Sequence, residues 1–191
     1  MKSQIKKSLK FVLACVILFA LVLPFASCER QDEAQSIEIV KDLIERSYTL
    51  NVVYYGEGLP YDEEKQVEGE YYEVTEDAPF RIRNDLIVET RAVFSEDLAL
   101  GLLGAYLDGY SNMGVVVYAR YLTGPDGYLT VYKDYKNVND QITKYDTSSV
   151  QIIKNRKNKI VASVTSVDGG ETIEVTLIYE NDAWKLDTPT L

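Results

Sequence analysis

The chain changes its hydrophobic period once along its length. In the first half, Ile37, Val40, Leu43, Ile44 and Ser47 recur at helical spacing, which predicts one long amphipathic helix running to about Tyr54. Asp32 and Gln35 stand at capping-box spacing at its start, and Gly56, Gly58 and Pro60 stop it. The polar, acidic stretch 56–70, rich in breakers, reads as a loop, and Tyr71 to Val74 as a short strand. Asn84 and Asp85 open a short helix with Leu86, Ile87, Val93 and Phe94 on one side. Ser95 caps another, with Glu96 and Asp97 in its first turn, where the helix dipole favours anions. Leu98, Leu102 and Ala105 form its apolar row, and Gly109 ends it.

From Gly114 onward the period becomes two. Residues 115–122 and 128–135 flank the turn 123–127 and make a hairpin; 136–148 is a polar connection. Strands follow at 149–154, 159–167 and 171–180, joined by the turn-forming stretches 155–158 and 168–170. In the last of these Ile173, Val175, Leu177 and Tyr179 alternate with Thr172, Glu174, Thr176 and Ile178, so one face is buried and the other wet. Residues 183–187 close the sheet after a turn at Asn181-Asp182. The expected fold is α+β, with N-terminal helices packed against a curved antiparallel β-meander. Its core draws on Val40, Leu43, Ile44, Leu98, Leu102, Val164, Ile173, Val175, Leu177, Trp184 and Leu186.

The N-terminus changes the picture from a plain domain to an exported one. Phe11 to Phe25 is uncharged and apolar, about fifteen residues against the roughly 20 that a spanning helix needs. It follows Lys2, Lys6, Lys7 and Lys10 and ends in Ala26 and Ser27, the layout of a secretory signal. Phe25-Ala26-Ser27-Cys28 resembles the bacterial lipobox, with Phe25 where leucine is usual. The expected organisation is a lipoprotein signal peptide at 1–27, a tether at 28–32 and a single domain at 33–191. Cys28 is then diacylated and holds the protein outside the cytoplasm, on the bacterial cell membrane, since two chains give stable anchoring. Cleavage removes Cys15, so no disulfide is expected and stability must come from the core.

Loss of the leader's four lysines leaves 16 basic against 30 acidic residues, a balance of −14. That argues against a nucleic-acid partner, whose affinity rests on Lys and Arg at phosphates. Histidine is absent, so there is no Ser/His/Asp or Cys/His constellation and no imidazole metal ligand. Carboxylates alone suit zinc poorly, and neither Asp62-Glu63-Glu64 nor Asp134 to Asp146 has calcium-loop spacing. No metal, cofactor or catalytic activity is expected. An enzymatic alternative would show an acid deep in an apolar pocket beside a Tyr hydroxyl, with its pKa raised.

Residues 175–189 resemble the last hairpin of cystatin/NTF2-like cone-shaped domains, which return through Trp-Lys-aliphatic-Asp. The resemblance implies that Trp184 and Leu186 point inward while Lys185 and Asp187 face water. With the N-terminal helix, "YYEV" before a helical pair and "FSEDLALGLLGAYLD", residues 36–188 are similar to bacterial inhibitors of cell-wall DL-endopeptidases. That family implies binding to papain-like peptidases that cut peptidoglycan stem peptides. The candidate contact is the hairpin tip, with Tyr121 and Tyr128 as anchors around Thr123, Pro125 and Asp126; the acidic stretch Asp62 to Glu70 is a second candidate. The alternative is an NTF2-like small-ligand or structural envelope module. Lys154, Arg156, Lys157 and Lys159 form the one cationic cluster of the domain, either a lysine-blunted hairpin or a contact to acidic envelope polymer.

Overall fold

Apolar spacing and a capped start make the first helix, α1 (Glu33–Tyr55), in the computed structural model, which describes residues 32–112, 115–133, 135 and 142–191. Residues 1–31, with Cys28, lie outside the described residues. Asp32 caps α1 by accepting the Ala34 N–H at 3.2 Å. Val40, Leu43, Ile44, Leu50, Val53 and Tyr54 form its buried face. Two polar residues on that face hold the C-terminal tail. Asn51 Nδ2 donates to the Thr190 carbonyl at 2.7 Å, and Thr190 Oγ1 donates to Ser47 Oγ at 2.9 Å.

The fold is α+β, with α1 packed on antiparallel sheets, as the sequence leads one to expect. The strands, however, divide between two four-stranded sheets. One contains β1 (Tyr61–Glu68), β2 (Tyr71–Val74), β5 (Tyr121–Thr123) and β6 (Leu129–Tyr132), in the order β1-β2-β6-β5. The other contains β7 (Tyr145–Arg156), β8 (Lys159–Ser166), β9 (Thr172–Glu180) and β10 (Ala183–Leu186), in the order β10-β9-β8-β7. A small pair, β3 (Tyr110–Asn112) and β4 (Val115–Val117), stands apart. Helices α2 (Arg83–Val93) and α3 (Glu96–Leu103) lie between, and a single π-helical turn (Gly104–Asp108) leads to Gly109 at φ 63°.

Several expectations need correction. The stretch 56–70 is not a loop throughout, because 61–68 pairs with β2 as an irregular edge strand. Six of its eight residues are exposed, so no apolar alternation was required to bury a face. Residues 115–122 do not make one strand: β4 pairs with β3, and the chain breaks before β5 enters another sheet. The central hairpin therefore joins β2 rather than continuing the C-terminal meander. Leu98, Ile173 and Trp184 are only partly buried at the margin of the core. Trp184 meets exposed Tyr179 edge-on at 5.4 Å.

Two local roles also differ. Ser95 stands at the start of α3, but its hydroxyl is buried without a hydrogen bond; Glu180 Oε1 accepts the Glu96 N–H at 2.7 Å instead. Lys185 does not face water. Its ammonium is drawn inward to donate to the Arg91 and Ala92 carbonyls, at 2.6 and 2.9 Å, in the last turn of α2. Burial is the main cause holding its pKa below the usual lysine value.

Candidate functional site

The β5–β6 hairpin is built on a buried strut. Tyr121 has no exposed surface; its hydroxyl donates to the Val53 carbonyl at 2.5 Å and accepts the Leu59 N–H at 3.2 Å. Burial pushes its pKa up. Tyr121 is therefore not a surface anchor, contrary to the sequence reading. Register places it opposite Val131, whose side chain is in the core, so its ring must face inward.

Beyond Tyr121 the hairpin turns outward. Thr123, Pro125 and Asp126 are exposed and Tyr128 is half-buried. The Gly124 N–H donates to the Tyr128 carbonyl at 2.8 Å, and the Gly127 N–H to the Gly124 carbonyl at 3.0 Å. Gly127 takes φ 83°, which suits a residue without a side chain. The segment before α2 braces this tip. The Leu129 N–H donates to the Arg81 carbonyl at 2.8 Å, and the Arg81 guanidinium lies 3.8 Å over the Tyr128 ring. Arg81 also contacts Glu73 at 3.4 Å. The second candidate, Asp62 to Glu70, is the edge strand β1 and its turn. It is laced by Lys133 to Glu63 at 3.4 Å and Lys65 to Glu73 at 3.6 Å.

Arg120 had no signal in the sequence. It is 3 % exposed, and its guanidinium donates to the carbonyls of Tyr54 and Gly56, both at 2.9 Å, closing the C-terminus of α1. Its partners are backbone atoms more than 60 residues away, which periodicity cannot reveal.

A second concave region is apolar. A cavity of about 390 Å³ lies among Tyr55, Phe94, Leu98, Leu102, Tyr106 and Leu191. The predicted apolar row Leu98, Leu102 and Ala105 lines it. Burial raises the pKa of both the Tyr55 and the Tyr106 hydroxyls. The acid on its wall, Asp97, is exposed rather than deep, so the arrangement that marks an acid–tyrosine catalytic pair is not assembled here. Among the described residues no group of three or more Cys, Asp and Glu gathers as a metal cluster. Lys154, Arg156, Lys157 and Lys159 are exposed around the β7–β8 turn.

The chain matches no family model and no curated protein.

Proposed function

We propose that this chain is a non-catalytic, extracytoplasmic lipoprotein, anchored through Cys28, that acts by binding protein, its target a papain-like cell-wall peptidase. The supporting observation is the hairpin tip. It exposes Thr123, Pro125 and Asp126 on a turn already fixed by hydrogen bonds and by Arg81 packing on Tyr128. A projection held in one shape avoids the ordering cost that weakens a floppy loop on contact. The lack of histidine and the commitment of Cys28 to lipid remove the usual nucleophile and base pairs. The choice of target class rests on the resemblance of residues 36–188.

The test adds the purified lipoprotein to papain-like DL-endopeptidases digesting peptidoglycan. Dose-dependent inhibition that weakens in Asp126→Arg and in Pro125→Gly is the expected result. No inhibition up to ~100 μM, where complexes of about −5.5 kcal/mol are half-formed, sinks the reading. The cavity beside Tyr106 favours a second reading, a small-ligand envelope module. On that reading an apolar fluorescent probe binds the intact chain, and Leu102→Trp abolishes the binding.

A further inference from the structure

We propose that the β7–β8 turn is a docking surface for the anionic phospholipid of the bilayer that holds the chain, so that the domain stands on the membrane in one orientation. This inference rests on the reading of Cys28 as a lipidated residue.

The placement follows from how β7 runs along α1. Thr147, near the start of β7, contacts Glu45 at 3.3 Å, and Asn155, near its end, donates from Nδ2 to Ser36 Oγ at 2.9 Å. The strand thus runs antiparallel to the helix, and its far end reaches the first turn of α1. Cys28 precedes Asp32 by four residues, so the chain between them spans at most about 14 Å. Whatever the path of the tether, the lipid attachment lies at the β7–β8 end of the domain.

At that end sit Lys154, Arg156, Lys157 and Lys159, all exposed and none in an ion pair with a described acid. Of the other described cations, Lys41, Arg46, Lys65, Arg81, Arg83 and Lys133 are each paired with an acid, and Arg120 and Lys185 are buried against helix carbonyls. Exposed Arg91 and Lys144 also lack an acid partner among the described residues but stand singly, whereas the turn gathers four such bases between positions 154 and 159, where the chain meets its anchor. The Tyr179 N–H donates to the Asn158 carbonyl at 3.1 Å, which brings half-exposed Tyr179, and Trp184 against it, to the same end. Tyr and Trp beside Lys and Arg are the residue types that settle at a headgroup layer. Asp32, Glu33, Glu180 and Asp182 are acids at this end and subtract from the attraction; the Asp32 carboxylate is engaged by the Ala34 N–H and the Glu180 carboxylate by the Glu96 N–H.

Each Lys or Arg close to an anionic bilayer strengthens the contact about fivefold, and the effect fades within a Debye length. The sheet bearing the β5–β6 hairpin joins α1 at its other end, where Arg120 and Tyr121 bind its last carbonyls. Over 23 residues the helix holds the two ends about 35 Å apart. Docking through the basic turn therefore presents the hairpin tip away from the membrane.

The experiment uses the mature lipoprotein reconstituted into vesicles that carry quencher-labelled lipid. With Cys15 removed and Cys28 acylated, Asn158→Cys supplies a single thiol for a fluorophore at the turn, and Asp126→Cys supplies one at the distal tip. In phosphatidylglycerol-rich vesicles the label at 158 is quenched and the label at 126 is not. Quenching at 158 drops several-fold in phosphatidylcholine vesicles, at about 0.5 M salt where the Debye length is roughly 4 Å, and when Lys154, Arg156, Lys157 and Lys159 are all changed to Gln. An unquenched label at 158, or quenching that the quadruple change leaves intact, overturns the docking proposal. The mass of the Cys28 peptide from the membrane fraction separates the two readings. A diacylated Cys28 with an unquenched turn leaves the anchor standing and removes the docking, whereas an unmodified Cys28 overturns both.

Discussion

Deleting a single oxygen atom separates the buried role of Tyr121 from any role at the surface. In Tyr121→Phe the ring stays in its slot, but the Val53 carbonyl loses its donor at 2.5 Å and the Leu59 N–H loses its acceptor at 3.2 Å. Both backbone groups belong to buried residues, so water cannot replace the lost hydroxyl without entering the core. A buried polar group left unpaired costs about 1–3 kcal/mol. The Leu59 bond is the longer of the two, which puts the sum at roughly 2–4 kcal/mol rather than at the upper limit. For a domain of this size that lowers the melting temperature by about 5–15 °C. Equilibrium urea unfolding of Tyr121→Phe measures it, with Tyr128→Phe as the comparison, since the Tyr128 ring carries its packing under Arg81 without a hydroxyl bond among the described residues. A stability within about 0.5 kcal/mol of the parent chain would refute the strut. So would a loss of peptidase inhibition in Tyr121→Phe with full stability retained, because that outcome returns Tyr121 to the surface.

Two further outcomes are expected. Gly58 takes φ 88°, and a Cβ there would clash with Arg120 Nη2 and sit 2.8 Å from its Cζ. Gly58→Ala must expel the guanidinium from the Gly56 carbonyl and should cost ~2–4 kcal/mol in urea unfolding; Gly127→Ala, at φ 83° in open space, should cost only ~1–2. Alkaline pH should also unfold the domain. Burial, the leading cause in each case, raises the pKa of Tyr54 to about 12 and also raises those of Tyr55, Tyr71, Tyr106, Tyr121 and Tyr145. The unfolded chain loses these protons near pH 10 and the folded chain later, so the contribution is complete below pH 10 and falls as pH rises. Tyr54 alone accounts for about 2 kcal/mol by pH 12. Lys185 acts oppositely, since its lowered pKa adds stability as pH rises toward 10.5, and that gain is finished before most of the tyrosine loss. A urea midpoint unchanged from pH 8 to 11.5 would contradict this account.

What the sequence makes legible is the part of the fold built from periodicity and turns. The helix at Glu33–Tyr55, the strand at Thr172–Glu180 and the turn at Asn181-Asp182 all carry patterns that local rules can read. Asn181 and Asp182 both take positive φ, 51° and 61°, as a two-residue hairpin turn requires. What it hides is the edge strand Tyr61–Glu68, exposed on both faces, and the sheet to which β5 belongs. Both depend on pairing with β2, a partner chosen by long-range packing rather than by any local signal. The hairpin tip was legible as a turn, whereas the inward face of Tyr121 was not. A one-residue choice of register decides which way every side chain of a short strand points, and three residues are too few to show the alternation.

Arg120 and Lys185 answer the same need at two places. Neither α1 nor α2 ends on a left-handed glycine; Gly56, after α1, has φ −93°, and Phe94, after α2, has φ −100°. The last carbonyls of each helix still require donors, and the helix dipole makes a cation the favourable one. Arg120, from the approach to β5, supplies it to α1, while Lys185, from β10, supplies it to α2. Each buried cation thus ties one helix to one of the two sheets. Arg46, held in α1, ties the helices to each other through Glu89 at 2.7 Å and stays protonated because that carboxylate raises its pKa. Charge that could have served at the surface is used to lock the frame. The braced tip around Pro125 and Asp126 and the four bases of the β7–β8 turn lie toward opposite ends of α1, and the helix between them fixes their separation.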